Sequence, residues 1–341
     1  MRPPGFWARR SPSLVARALA PLGALYGALA ARRMAQPGLR VEAPVVCVGN
    51  FVAGGAGKTP AAIAVAQLLR EMGERVAFLS RGYGGGRGAG ALAVDPGRHR
   101  ADDVGDEPLL LARAAPCFVA RDRRLAARAA IAAGAGVLVL DDGLQSPSLA
   151  KDFSFAVVDG GAGFGNGLCL PAGPLRADPV RQLLHVSAVI FVDGVSDASI
   201  KAYETVSGAP LFNARLEPDP AVAARLCNQN VLAFAGIGRP EKFFNTLRAL
   251  GARVVVARAF ADHQRYSGAE LDALFAEAAS LGLTPVTTQK DLVRLAPDRA
   301  EKVVALPVVL RFDDAPAVKA LLGAALARRR AEPAARPREI A

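Results

Sequence analysis

From residue 45 onward, short β-branched apolar runs alternate with Ala/Leu-rich segments whose apolar positions recur at helical spacing. Runs at 45–48, 76–79, 117–120, 137–140, 155–158 and 189–192 predict strands, and segments 60–72, 107–113, 123–133 and 179–185 predict helices. Such alternation is the pattern of a parallel sheet covered by helices. Residues 203–230 break the rhythm with turn residues and a short strand-like piece at 211–216, and predict a connector between domains. A second set follows: strands at 231–235, 254–257, 284–288 and 303–310, with helices at 240–250 and 268–281. The expected organisation is a helix-bearing segment 1–36, a first α/β domain 37–202, a connector 203–230, a smaller α/β domain 231–326 and a disordered tail 327–341.

The first forty residues carry Arg2, Arg9, Arg10, Arg17, Arg32, Arg33 and Arg40 and no acid, around the apolar run 18–31. That run is shorter than the roughly 20 residues a spanning helix needs and contains Pro21. It predicts a basic amphipathic helix lying on an anionic membrane surface, with Leu14, Leu19, Leu22, Leu25, Tyr26 and Leu29 on its apolar side. The competing reading is a helix packed on the protein's own core.

Composition narrows the picture modestly. With 52% hydrophobic residues in 341, the chain has ample material for packed cores, and its formal charge of +11 suits a polyanionic partner. Lysine occurs only at 58, 151, 201, 242, 290, 302 and 319, so arginine usage alone is a rival explanation of that charge. Cys47, Cys117, Cys169 and Cys227 form no metal-ligand spacing and call for no disulfide, which points to a reducing compartment.

The chemistry concentrates in "VVCVGNFVAGGAGKTP", a strand, a glycine-rich loop and a helix start. Val52, Ala53, Gly54, Gly55, Ala56, Gly57, Lys58 and Thr59 form a candidate phosphate-binding loop: glycines free the backbone N–H groups, Lys58 suits the β- and γ-phosphates, and the Thr59 hydroxyl suits Mg²⁺. Val52 stands where the strict pattern asks for glycine. In "GVLVLDDGLQS", Asp141 and Asp142 end an apolar run, as a strand-end acid beside Mg²⁺ does or as a simple polar turn does. Asp106 and Glu107 open the helix of "VGDEPLLLAR", where acids either complement the helix dipole or face a site. Arg81 in "SRGYGG" is a cation on a flexible loop, and His263 in "FADHQRYSG" sits in a polar loop beside Asp262.

Together, "VGNFVAGGAGKTP", "SRGYGG", "VGDEP", "DDGLQ", "NGLCLPAGPLR", "FAGIGRPEKFF", "ADHQRY" and "TTQKDLVRL" resemble the tetraacyldisaccharide 4'-kinase family of lipid A biosynthesis, in order along nearly the whole chain. That family generally lacks the first loop glycine, often has a second histidine where this chain has Gln264, and a glutamate at Gln289. The resemblance implies a P-loop NTPase-type parallel-sheet domain with a second, smaller α/β domain and an N-terminal amphipathic helix. It implies ATP- and Mg²⁺-dependent phosphorylation of the 4'-hydroxyl of an acylated glucosamine disaccharide 1-phosphate at the cytoplasmic face of the inner membrane.

By motif, Lys58 and Thr59 would hold phosphates and metal, with Glu107, Asp141 and Gln145 around the metal. Asp106 would be the base, assisted by His263, and Arg81, Arg123, Asn166, Pro171 and Arg176 would shape the substrate side. The alternative is a membrane-associated P-loop ATPase or GTPase switch with no lipid acceptor; a guanine-selecting element is missing, since "TTQKD" sets lysine beside aspartate. A nucleic-acid partner is not expected, because zinc spacing, aromatic-interleaved basic runs and a helix-turn-helix pattern are all missing.

Overall fold

The computed structural model describes residues 4–9, 11–55, 57–82, 85–86, 90–194 and 208–332. Nine strands form one sheet and four a second. In the large sheet β1 (Val45–Asn50), β2 (Val76–Ser80), β4 (Cys117–Val119), β5 (Val137–Asp141), β6 (Phe153–Asp159), β7 (Ala188–Val192) and β8 (Leu211–Pro218) run parallel. Two antiparallel strands close its edges, β3 (Leu92–Ala93) and β13 (Val308–Phe312). The order β13-β8-β7-β6-β1-β5-β2-β4-β3 puts β1 near the middle, between β5 and β6. The small sheet is all parallel, in the order β10 (Arg253–Ala259), β9 (Asn230–Ala235), β11 (Thr284–Thr288), β12 (Val304–Leu306).

Strands β1, β2, β5, β6 and β7 are buried along their whole length because both sheet faces carry helices. Val46, Val48, Val139, Phe155 and Ile190 pack on Val65 and Leu69 of the helix Lys58–Glu71 and on Val318 and Leu322 of the C-terminal helix Ala315–Ala331. Their neighbours Cys47, Leu138 and Leu140 face Ala126 and Ala130 of the helix Arg123–Ala132, and Ala31 and Met34 of the N-terminal helix.

Three sequence expectations are corrected. The piece at 211–216 is no connector but β8, paired with β7 and β13 in the large sheet; residues 203–207 of the expected connector lie outside the described residues. The single strand expected at 303–310 is two, since Pro307 separates β12 in the small sheet from β13 in the large one. Residues 315–331 form a helix whose Val318, Leu322, Ala325 and Leu326 lie in the large-sheet core, so the expected tail is helical over 327–331, and its residues after Glu332 lie outside the described ones. The smaller unit therefore runs from Asp219 to Pro307, inserted between two adjacent strands of the large sheet.

The N-terminal helix, Leu14–Met34, has 21 residues and keeps Pro21 within its span, longer than the apolar run predicted. Ala16, Gly23, Gly27, Ala31 and Met34 form its buried face. A Cβ at Gly27 would sit 2.7 Å from Cys169 Sγ, and one at Gly23 2.7 Å from the Cys169 carbonyl, so glycine is what permits this approach. The opposite face leaves Leu14, Leu22, Leu25, Tyr26 and Leu29 exposed.

Candidate active site

The loop after β1 has the geometry phosphate binding requires. Gly57 takes a left-handed conformation (φ 81°) immediately before the helix at Lys58, and Gly54 also has positive φ (113°). Val52 lies outside the positive-φ region and bridges antiparallel to Leu175, while Ala53 N–H donates to the Pro174 carbonyl (2.7 Å). The first position thus needs no glycine. Ala56 lies outside the described residues. Lys58 Nζ donates to the Gly54 carbonyl (3.0 Å) and stands 4.0 Å from Asp142, poised within the loop.

Asp141 closes β5 one strand away, in register with Val48. The Thr59 hydroxyl donates to its Oδ2 (3.3 Å), and its buried Oδ1 has no hydrogen-bond partner. Burial, with Glu107 and Asp142 nearby, pushes this carboxyl up to about 7. Asp142 goes the other way: burial raises it, but Lys58 and Arg176 outweigh burial and hold it at about 2.

The second cluster joins the two domains. Asp106 is buried at the start of the helix Asp106–Ala112, behind Gly105 at φ 92°. Its Oδ1 accepts from the Glu107 N–H (2.9 Å); its Oδ2 accepts from Arg294 Nε (2.9 Å), from Arg294 Nη2 and from His263 Nδ1 (3.1 Å). Burial opposes ionisation, but His263, Lys290 and Arg294 hold the carboxyl far below the usual range. Lys290 Nζ donates to Glu107 Oε1 (3.1 Å) and lies 3.2 Å from His263 Nε2. An ammonium has no lone pair, so Nε2 is the acceptor and the proton sits on Nδ1, directed at Asp106. Burial works against the Lys290 charge, but Glu107, Asp106 and Asp262 outweigh it and keep the ammonium protonated.

A cavity of about 460 Å³ is lined by Gly57, Lys58 and Thr59 on one side and by Asp262 and Lys290 on the other, with Glu107 between. Asp106 and His263 line an adjoining cavity of about 310 Å³. Lys290, on the wall of the first, lies 3.2 Å from His263 on the wall of the second.

A family model described as Tetraacyldisaccharide-1-P 4'-kinase matches residues 15–327. The chain is 57% identical to the tetraacyldisaccharide 4'-kinase of Methylobacterium sp. (strain 4-46) over 334 residues, covering 98% of this chain and 100% of that one. It is 52% identical to that of Rhodospirillum rubrum, covering 94% and 97%. The chain belongs to the tetraacyldisaccharide 4'-kinase family. Among solved structures, LpxK from Aquifex aeolicus in complex with ATP superposes with a TM-score of 0.71 at 25% identity, covering 92% of this chain and 100% of that one. The P-loop fold and the ATP-dependent phosphotransferase class expected from the sequence are those of this family.

Several residues expected near metal or substrate make hydrogen bonds to the protein framework in this structure. Gln145 gives its Nε2 to the Asn50 carbonyl (2.7 Å) and to Gln182 (2.8 Å), and its Oε1 accepts from Arg176 (3.2 Å), which braces the loop from behind. Arg123 is buried under the end of β5, donating to the Asp141 (3.2 Å) and Asp142 (2.9 Å) carbonyls. Asn166 ties the Ala172 carbonyl (2.9 Å) to the Leu168 N–H (3.1 Å), and the Pro171 carbonyl accepts from Trp7 Nε1 (3.0 Å). Arg176 pairs with Asp142 (3.0 Å) and the Val52 carbonyl (3.1 Å). Arg81, just past the end of β2, and Pro171 are exposed.

Sequence reasoning missed Lys290, Asp291 and Arg294, although "TTQKDLVRL" contained them. Their signal was spacing: positions four apart on a helical turn share a face, and Lys290 and Arg294 both reach the Asp106–Glu107 corner. Also missed was the clasp of Asp159 with Arg239 (2.5 Å) and Lys242 (3.3 Å), and of Lys242 with Asp193 (2.7 Å).

Proposed function

We propose that the chain binds ATP with its phosphates in the Gly54–Thr59 loop and transfers the γ-phosphoryl group to the 4'-hydroxyl of a tetraacylated glucosamine disaccharide 1-phosphate. The observation that carries this is the meeting of the phosphate loop and the Asp106–His263 pair through Glu107 and Lys290, from opposite domains. A sugar hydroxyl is a poor nucleophile, so transfer needs in-line positioning, charge neutralisation and late acceptance of a proton. Asp106 is the acceptor of that proton, with His263 orienting its Oδ2.

The buried, unpartnered Asp141 Oδ1, the Thr59 hydroxyl and the nearby Glu107 carboxylate make a donor set that suits Mg²⁺, and a cation there relieves the repulsion that raises Asp141. When bound, the ion neutralises charge on the β- and γ-phosphates. Lys58 does the same from the loop.

The exposed leucines of the N-terminal helix, flanked by Arg9, Arg17, Arg32 and Arg33, suit the cytoplasmic surface of an anionic membrane. The helix is long and apolar enough to cross a bilayer by length and composition, yet its glycine face is packed on residues 169–177, which favours lying in the interface. A cavity of about 540 Å³ between Pro4, Trp7, the loop and Phe260 opens beside it for the acceptor. Incubating purified protein with γ-labelled ATP, Mg²⁺ and the lipid disaccharide 1-phosphate in detergent tests the reading. Label in the lipid supports it, and hydrolysis without labelled lipid refutes it.

A further inference from the structure

We infer that Lys290 is a second phosphate-facing cation of this reaction, carried by the smaller domain to the phosphoryl group in transfer. The inference rests on the ATP-dependent transfer proposed above. Three observations carry it. First, Lys290 lines the same cavity as Gly57, Lys58 and Thr59, although it belongs to the other domain. Second, its ammonium touches both halves of the chemistry: Glu107 on the metal side (3.1 Å) and His263 on the proton side (3.2 Å). In the transfer proposed above, those groups lie on the metal and proton sides of the in-line path. Third, Asp106 (4.0 Å), Glu107 and Asp262 (3.9 Å) surround the ammonium, so in this state acids occupy the place of an anionic ligand.

The lysine stands on a rigid base. Asp291, fully buried, accepts from the Gly236 N–H (2.9 Å), Tyr266 Oη (2.7 Å), Thr288 Oγ1 (2.6 Å) and Arg294 Nη1 (2.9 Å), which fixes the turn Gln289–Leu292. In the transfer step the bond from the γ-phosphorus to the β-bridging oxygen breaks as the bond to the acceptor oxygen forms. The acceptor's proton leaves to Asp106. Lys290 keeps its protons and neutralises the oxygens in flight, the role that a finger residue plays in other phosphate-loop enzymes.

The test compares wild type with Lys290→Met and Lys290→Gln, and with Lys290→Arg as rescue, with thermal unfolding as a check on folding. Loss of a donor to transition-state charge predicts kcat lower by about 10²–10³-fold in Lys290→Met and Lys290→Gln, with KM for ATP changed much less and partial recovery in Lys290→Arg. Calorimetry without acceptor supplies a readout independent of turnover: a γ-phosphate contact predicts about tenfold weaker AMP-PNP binding with ADP binding unchanged. Equal weakening of ADP and AMP-PNP, or an unchanged kcat in a folded variant, overturns the inference. If wild type binds both nucleotides yet labels no lipid, the acceptor assignment fails while the nucleotide comparison still decides Lys290.

Discussion

Asp141→Asn should stabilise the nucleotide-free protein while destroying its activity. The native carboxyl titrates near 7 in place of 3.8, because it is buried beside Glu107 and Asp142. At about 1.4 kcal/mol for each tenfold change in proton affinity, ionising it in the native state costs about 4 kcal/mol. Unfolded, the same group ionises freely above pH 3.8. The penalty is therefore zero in acid, grows as pH rises from about 4 to 7, and is constant above that. Asparagine removes the charge, and its Oδ1 can still accept from Thr59 Oγ1. Differential scanning fluorimetry at pH 8 should show a Tm higher by about 5 °C, with a gap that closes toward pH 4. Adding Mg²⁺ and AMP-PNP should raise wild type and leave the variant behind. A variant that melts at or below wild type at pH 8, or a gap of the same size at pH 4.5, would refute the account of this site as one strained toward a cation.

Further outcomes follow from other contacts. Arg294→Gln removes two hydrogen bonds from Asp106 Oδ2 and so one cause of its depressed pKa; the acid limb of the kcat/KM profile should move upward by about one pH unit or more, and an unmoved limb would argue against Asp106 as base. Leu25→Glu with Leu29→Glu takes two exposed leucines off the side proposed to meet the membrane, each worth about 1.5 kcal/mol or more, so partition onto anionic liposomes should drop by about a hundredfold while turnover in detergent persists. Gly27→Leu forces the helix away from Cys169 and should cost about 1–3 kcal/mol, read as a lower Tm.

Much of the large sheet was legible because strands buried on both faces read as unbroken apolar runs, as Val137–Asp141 and Ala188–Val192 do. Strand β8 was read as a strand-like piece but assigned to a connector, because "LFNARLEP" is only partly buried and its Asn213, Arg215 and Glu217 lack the unbroken apolar run of a central strand. Pro307 hid a change of sheet inside one apolar run, 303–310. The C-terminal arginines imitated a solvated tail, yet Arg329 is buried and reaches both Asp152 (3.1 Å) and the Val41 carbonyl (2.8 Å). In the site, the phosphate loop, Asp106, Glu107, Asp141 and His263 were recognisable by residue type and position. The partners of a long side chain were not: Arg123 and Gln145, expected at the substrate and the metal, hydrogen-bond to backbone carbonyls in this structure.

The ion pairs across the domain boundary have one polarity. Among the described residues, every acid in them comes from the large domain (Asp102, Asp106, Glu107, Asp159, Asp193) and every base from the smaller one (Arg239, Lys242, His263, Arg265, Lys290, Arg294). They also straddle the phosphate loop. Asp159 and Asp193 follow β6 and β7, on the side where β8 and β13 carry the chain into and out of the smaller domain, whereas the helix bearing Asp106 and Glu107 packs on β2 and β4 beyond β5. With strands about 4.8 Å apart, the loop after β1 lies about 14 Å from hinge strand β8, between the two clasps. A polyphosphate arriving there adds acid to the acidic side, and the bases opposite can satisfy it only by leaving their present partners. On the proposed reading, closure over ATP would exchange carboxylate for phosphate at bases already aimed at the gap, so its net electrostatic gain would be small and the domains could reopen to release product.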